Sequence, residues 1–313
     1  MKIFLDTDIG TDSDDALCLA YLLNKPECEL LGITTVGCQA PQRAEIVDSL
    51  CHHAGCDEVP IAAGADRPYT PNCYWDGHRL SYYGVTEQWP ARQSYARGEA
   101  MGLMQRVIRE NPGEVVLLAV GPLTNVGLLA AADPEAMGML KALYIMGGFN
   151  NDRAAPRCEC NIMLDPTSAS SAFAAETAQT RVCSLQVTRG QALTGEQVER
   201  NFGDQRFAPL VRCIQGWAEM RPNGGKGVGM HDPMTAMAIF DPDICQWARG
   251  RVTVKILDED PSGRVQFQED QVTGVTFFDP ADQGPHTWAV EVDRQRMLDE
   301  LFGTLGCPDA PRS

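Results

Sequence analysis

Near the amino terminus, Leu5-Asp6-Thr7-Asp8-Ile9-Gly10-Thr11-Asp12-Ser13-Asp14-Asp15-Ala16 places five carboxylates within ten residues. The run lies between an apolar stretch that reads as a buried strand and a stretch with helical apolar spacing. A helix start accounts for one or two of these acids, because aspartate caps free N–H groups and complements the helix dipole. It does not account for Asp6 and Asp8, at the carboxyl end of the strand. Carboxylates this close raise one another's pKa unless a cation neutralises them. A hard divalent ion with oxygen ligands resolves the conflict: Ca2+ in a roomy cage, Mg2+ in an octahedral, hydrated one. The alternative is a solvated acidic turn.

Short apolar, β-branched runs alternate with helical patterns along the 313 residues, which predicts an α/β fold around a mostly parallel sheet. Strands are expected at Lys2–Asp8, Leu30–Gly37, Val59–Gly64, Glu114–Gly121, Lys141–Gly148 and Arg181–Thr188. These six are nearly continuous apolar runs, as strands covered on both faces should be. Three later and more polar strands, Arg251–Leu257, Val272–Phe278 and Thr287–Val292, belong at an edge or in an antiparallel addition. Helices are expected at Asp14–Leu23, Pro41–His53, Arg97–Glu110, Pro166–Ala175, Arg206–Met220 and Pro233–Phe240. No composition break divides the chain, so 1–313 reads as a single domain. A long Pro-, Gly- and aromatic-rich stretch over 66–94 is expected as a flap, and the glycine-rich 222–230 as a mobile loop.

With 26 basic against 42 acidic residues the net charge is −16, which opposes binding to nucleic acid or another polyanion. No apolar run is long enough to span a bilayer, and the acidic start lacks the apolar core of a signal peptide. The twelve cysteines contain no Cys-x-x-Cys, and we read them as reduced thiols of a cytoplasmic protein.

Three glycine-bearing turns should end at the sheet edge that carries the acidic run: Gly37-Cys38, Gly121-Pro122-Leu123-Thr124-Asn125 and Gly147-Gly148-Phe149-Asn150-Asn151. In open α/β sheets the ligand crevice lies outside the carboxyl ends of the strands. A further constellation is Met230-His231-Asp232-Pro233. Proline at a first helical position makes Asp232 a plain N-cap, yet a histidine beside a carboxylate also suits a general acid near a metal. His52 and His53 fall on an apparent surface helix, and His286 precedes a late strand. The strand-DxD opening is similar to that of haloacid dehalogenase phosphatases. That family also needs a lysine after a later strand and a late Gly-Asp acidic pair, and neither is present.

Taken together the motifs resemble the inosine–uridine-preferring nucleoside hydrolases over nearly the whole chain. The matching blocks are Asp6–Ala16, Leu31–Gly37, Val59–Gly64, Gly121–Asn125, Ile145–Gly148, Cys158–Pro166 and His231–Pro233. The resemblance implies one Rossmann-like α/β domain with Ca2+ at its carboxyl edge and hydrolysis of ribonucleosides to ribose and base. It implies Asp8, Asp15, the Thr124 carbonyl and Asp232 as metal ligands, with Asp8 also the base that deprotonates water. Asp14 and Asp232 would meet ribose hydroxyls, and Glu159 and Asn161 would hold the 5′- and 3′-hydroxyls. His231 would protonate the leaving base. A homodimer or homotetramer is implied, with a small-molecule ribonucleoside as the only partner.

This chain departs from the family pattern in three places. The acidic run is two residues longer, so Asp12 competes with Asp14 and Asp15; the pair before Ala16 is favoured because it opens the helix. Cys38 stands where asparagine is expected, and its thiol either faces the nucleoside or fills space. The flap around Trp75-Asp76-Gly77-His78 matches loosely, leaving His78 as the candidate base contact, and Asn151 is aligned with the asparagine expected after the Gly-Gly turn.

Overall fold

Alternation within the first strand shows why the sheet is covered on both faces. In β1 (Lys2–Thr7), Ile3 and Leu5 join one buried apolar cluster while Phe4 joins the other. The computed structural model describes residues 1–71, 73, 80, 84–151, 157–220, 227–257 and 272–310. The remaining strands of the main sheet are β2 (Glu29–Thr35), β3 (Ile61–Ala63), β4 (Val115–Ala119), β5 (Ala142–Met146) and β6 (Thr180–Cys183), then β7 (Cys245–Leu257), β8 (Thr273–Asp279) and β9 (His286–Val292). Their order across the sheet is β8-β7-β9-β6-β5-β4-β1-β2-β3.

Pairing is parallel from β3 through to β9 and antiparallel where β7 meets β9 and β8. The three late strands lie together at one edge as expected, β9 joined in parallel to β6 and β7 and β8 added antiparallel. Strand order runs one way from β1 to β3 and the other way from β4 to β6. The carboxyl ends of β1 and β4 thus form a topological switch point, where open α/β sheets bind ligands.

Eight helices of eight or more residues flank the sheet among the described residues: α1 (Asp14–Asn24), α2 (Ala40–His53), α3 (Ala100–Glu110), α4 (Thr124–Ala132), α5 (Pro166–Ala174), α6 (Ala208–Met220), α7 (His231–Phe240) and α8 (Arg294–Leu305). The cluster on one face draws on α1, α2, α6, α7 and α8, and that on the other on α3, α4 and α5. None of the described helices is long and apolar enough to cross a membrane. No disulfide joins any of the twelve cysteines.

The structure corrects several expected boundaries. Ser184–Thr188 is not strand: the Leu185 amide turns to donate to the Gly148 carbonyl, and Leu185–Thr188 forms a helical turn. The third strand shortens to three residues, and β7 begins six residues earlier than expected, at Cys245. Helices α4 and α8 were not anticipated. Within 66–94, the segments 72, 74–79 and 81–83 lie outside the described residues; Gly84–Gln88 is a short helix. Residues 222–226 also lie outside them, while Val228–Gly229 pairs with Ala192–Leu193.

One buried carboxylate ties the site's supports together. Asp165 caps α5 and accepts from the amide (3.2 Å) and hydroxyl (2.8 Å) of Ser168. It also accepts from the Tyr69 amide (2.7 Å), the Thr70 amide (3.1 Å) and hydroxyl (2.6 Å), and the Thr124 hydroxyl (2.7 Å). The stem of the 66–94 segment, the start of α4 and the start of α5 thus share one acceptor-only group. Asp165→Ala strands several buried donors and should lower stability by about 3 kcal/mol or more in urea unfolding. A loss under about 1 kcal/mol would show that the cluster is not cooperative.

Candidate active site

Asp14 and Asp15 occupy the first turn of α1, and Asp232 the first turn of α7, two helices that pack side by side. Their N-termini meet beyond the carboxyl ends of β1 and β4. One carboxylate oxygen from each of Asp14, Asp15 and Asp232 falls within 4.8 Å of the other two. All three residues are buried. The Asp14 carboxylate also accepts the main-chain N–H groups of His231 and Asp232, so it bridges the two helix starts.

The remaining acids of the run divide by role. Asp8, also buried, directly follows β1, and its charge presses on all three members of the triad. Asp6 turns into the core, where its Oδ1 accepts from the Thr34 hydroxyl (2.6 Å) and the Asn125 amide (2.8 Å). Its Oδ2 is buried without a hydrogen bond, and burial pushes its pKa up to about 7. Asp12 is half-buried and accepts from the Ser13 amide at 2.6 Å. Of the three acids that competed, Asp14 and Asp15 join the triad and Asp12 stays outside it. Asp14 thus stands among the prospective metal ligands, a position beyond the ribose contact expected of it.

Burial is the largest influence on the triad. It raises Asp14 to about 6, with the Asp8 charge adding to the rise. Asp15 and Asp232 are driven well above the ordinary carboxylate value by burial and then by the neighbouring acids. Three hard oxygen donors that repel one another in a dry site fit a divalent cation.

Two features that sequence reasoning missed shape the loop. The first is Arg43, fully buried on α2. Its guanidinium donates to the main-chain carbonyls of Asp8, Ile9 (3.0 Å) and Cys38 (2.8 Å) and to the Thr11 hydroxyl (3.0 Å), and its charge partly offsets the rise of Asp15. The second is Thr7, whose hydroxyl donates to Asp15 and accepts from the Ile9 amide at 3.1 Å. Gly121, at the end of β4, is required by proximity: a Cβ there would lie 2.8 Å from the Asp8 nitrogen.

On the other side of the crevice, Glu159 caps a helical turn, accepting from the amides of Asn161 (3.0 Å) and Ile162 (3.2 Å) and from Gly148 (2.8 Å) of the Gly-Gly turn. Burial raises its pKa. The Asn161 side chain donates to the carbonyls of Val120 (2.7 Å) and Met146 (3.0 Å), pinning the ends of β4 and β5, while its oxygen keeps its acceptor capacity. Thr124 is held through its hydroxyl by Asp165.

The other candidates are placed as follows. His231 opens α7, and its Nδ1 lies 2.7 Å from the Thr188 hydroxyl. Cys38 packs with Val36, Leu164, Ala65 and Cys73, a small apolar cluster consistent with space filling. The Asn151 amide is engaged with main-chain groups of Phe149, Arg157 and Thr276, bracing its loop against β8. His78 lies outside the described residues. The outlying histidines carry structural contacts: His286 is buried, accepting from the Val252 amide and donating to the Phe173 carbonyl.

These shifts have a direct consequence for metal-free protein. A carboxyl raised from 3.8 to about 6 adds stability that is complete below the unfolded value and disappears as pH climbs through the folded one. A divalent cation acts oppositely, binding the ionised groups. Calcium should therefore raise the melting temperature of chelator-treated protein by several degrees more at pH 7.5 than at pH 5. An equal increment at both pH values would show that these acids do not bind the ion.

Residues 3–299 match the family model described as inosine-uridine preferring nucleoside hydrolase. The chain is 28% identical over 268 residues to uridine nucleosidase 1 of Arabidopsis thaliana, covering 81% of this chain and 78% of that protein. It is 27% identical over 321 residues to the inosine-uridine preferring nucleoside hydrolase of Crithidia fasciculata, covering 97% of each. Among solved structures, the purine-preferring ribonucleoside hydrolase from Gardnerella vaginalis superposes with a TM-score of 0.75 at 21% identity, covering 97% of this chain and 98% of that one. A plant nucleoside hydrolase gives the same TM-score at 24% identity, with the same coverage. With its fold, its buried acidic triad and this match over nearly its full length, the chain belongs to the inosine-uridine preferring nucleoside hydrolase family.

Proposed function

We propose that this chain hydrolyses the N-glycosidic bond of purine and pyrimidine ribonucleosides in a Ca2+-dependent reaction, releasing ribose and the free base. The observation that carries the reading is the buried triad of Asp14, Asp15 and Asp232 at the switch point of the sheet, with Asp8 beside it, whose charge also reaches Glu159. Asp8, Asp15, Asp232 and the Thr124 carbonyl would hold the ion, with Asp14 beside them. When bound, the ion orients water and lowers its pKa.

The chain's own groups then divide the work. Asp8 accepts the proton of the attacking water. Loss of the base builds positive charge on the ribose ring, as in O-glycoside cleavage, and the dense carboxylate field favours that charge. Asp14 and Asp232 accept hydrogen bonds from ribose hydroxyls, while Glu159 and the free acceptor of Asn161 hold the far side of the sugar. His231, at the rim of the triad, delivers a proton to the departing base. Cys38, Asn151 and His78 are the remaining candidate contacts around the base. The same reading has the protein act in the cytoplasm as a homodimer or homotetramer.

A panel of inosine, uridine, cytidine and adenosine, assayed for reducing sugar, tests the activity and fixes the base preference. Asp8→Ala and Asp232→Ala should each reduce turnover by at least about 10³-fold, since each removes a group that acts on the reacting atoms. The 2′-deoxynucleosides should be poor substrates. Equal turnover of ribo- and deoxyribonucleosides, or activity indifferent to a calcium chelator, would contradict the placement.

A further inference from the structure

Asp165 has no exposed surface, and every hydrogen bond it makes is one it accepts. Its Oδ1 takes the Thr70 amide, the Thr70 hydroxyl and the Ser168 amide. Its Oδ2 takes the Tyr69 amide, the Thr124 hydroxyl and the Ser168 hydroxyl. A carboxylate offers about four lone-pair directions, so these donors share them and each bond depends on the others holding their places. Thr70 extends the network, because its hydroxyl also accepts from the Thr167 amide at 2.9 Å.

The start of α4 is held by two successive side chains. Thr124 gives its hydroxyl to Asp165, while Asn125 donates to Asp6 Oδ1 (2.8 Å) and the Thr35 carbonyl (3.1 Å) and accepts from the Ala65 amide (2.9 Å). The stem of the 66–94 segment is thus fixed at Ala65 by Asn125 and at Tyr69 and Thr70 by Asp165. Close approach joins α4 to α5, since a Cβ at Gly127 would lie 2.4 Å from the Ser168 carbonyl oxygen. Three residues before Thr124, a Cβ at Gly121 would lie 2.8 Å from the Asp8 nitrogen. Thr124 therefore has its side chain in the Asp165 network and its main chain in the turn that borders Asp8.

We propose that Asp165 is a positioning residue that couples cation binding to the stem of the 66–94 segment through Thr124. Its hold on the hydroxyl aims the Thr124 carbonyl, and an ion bound by that carbonyl in turn steadies the Tyr69 and Thr70 amides on the same carboxylate. The inference rests on the calcium reading above, in which the Thr124 carbonyl is a ligand. Groups that fix a metal ligand from behind typically account for about 10–100-fold in metal affinity. Linkage makes the effect reciprocal: a network that favours the ion-binding arrangement is itself favoured by the ion. Asp165 acts through Thr124 rather than on the ion.

The test compares the full chain with Thr124→Val, which keeps the shape without the hydroxyl, and Thr124→Ser, which keeps the hydroxyl. Neither change strands a buried donor, and far-ultraviolet circular dichroism checks that both fold. Calcium titration of chelator-stripped protein at pH 7.5 should show T124V binding about tenfold or more weakly, with T124S near the parent. Amide hydrogen exchange gives the readout that a merely structural role would not move. Saturating calcium should slow exchange at Tyr69 and Thr70 about tenfold in the parent, and by about threefold or less in T124V. The Ala136 amide, held by Asp133 at the far end of α4 (3.1 Å), should respond less than either. Parent affinity in T124V, or equal slowing at Ala136 and at the stem, would overturn the proposal. So would calcium that binds the parent and leaves Tyr69 and Thr70 exchange unchanged, a comparison that needs no variant. A parent that binds no calcium would refute the calcium reading itself, and the coupling with it.

Discussion

Three buried carboxylates repel one another at the meeting point of two helix N-termini, and the surrounding structure serves to keep them there. Asp14, Asp15 and Asp232 have lost water, and Asp8 adds a fourth negative charge from the end of β1. Helix dipoles and the main-chain N–H groups of His231 and Asp232 offset part of this, as does the Arg43 guanidinium. What remains is a site whose acids hold protons more readily than exposed carboxylates do, and a cation would take the place of those protons. The stability cost and the capacity for metal chemistry have the same origin.

The supports are distributed so that each acid is fixed from a different part of the chain. Thr7 and Arg43 hold Asp15 and the loop after β1, and α1 and α7 present the triad. Asp165 fixes Thr124 and the stem of the 66–94 segment, while Glu159 and Asn161 lock the ends of β4 and β5 to the opposite wall. Small errors in position are costly in a site that must hold a reacting sugar, an ion and a water in register. Parallel strands with both faces covered give the rigid frame such a site needs.

Much of this was legible because it is local. Continuous apolar runs revealed the first six strands, all parallel, and the polar character of the later three marked the edge where antiparallel pairing begins. The acid pair before Ala16 and the His231-Asp232-Pro233 motif revealed both helix starts that form the triad. The limits were equally physical. Helix α4 is apolar nearly all round, so it offers no face for periodicity to detect. Helix α8 carried signals that were there to be read: Asp293 as cap, Met297, Leu301 and Leu305 on one face, and Gly306 at φ 57° as terminator. At Ser184–Thr188 the β-branched residues favour strand, but Leu185 leaves the sheet to bond Gly148. Arg43 and Asp165 could not be singled out from sequence, because the contacts that tie the site together reach 32 or more positions along the chain.

The account turns on whether the triad binds a single hard cation. Equilibrium titration of chelator-stripped protein with Ca2+ at pH 7.5, repeated on Asp15→Asn and Asp232→Asn, measures this directly. One equivalent of Ca2+ per chain is predicted for the parent, with affinity reduced by at least about tenfold in each variant while the far-ultraviolet circular dichroism is unchanged. Absence of binding by the folded parent, or unaltered affinity in both variants, would contradict the account.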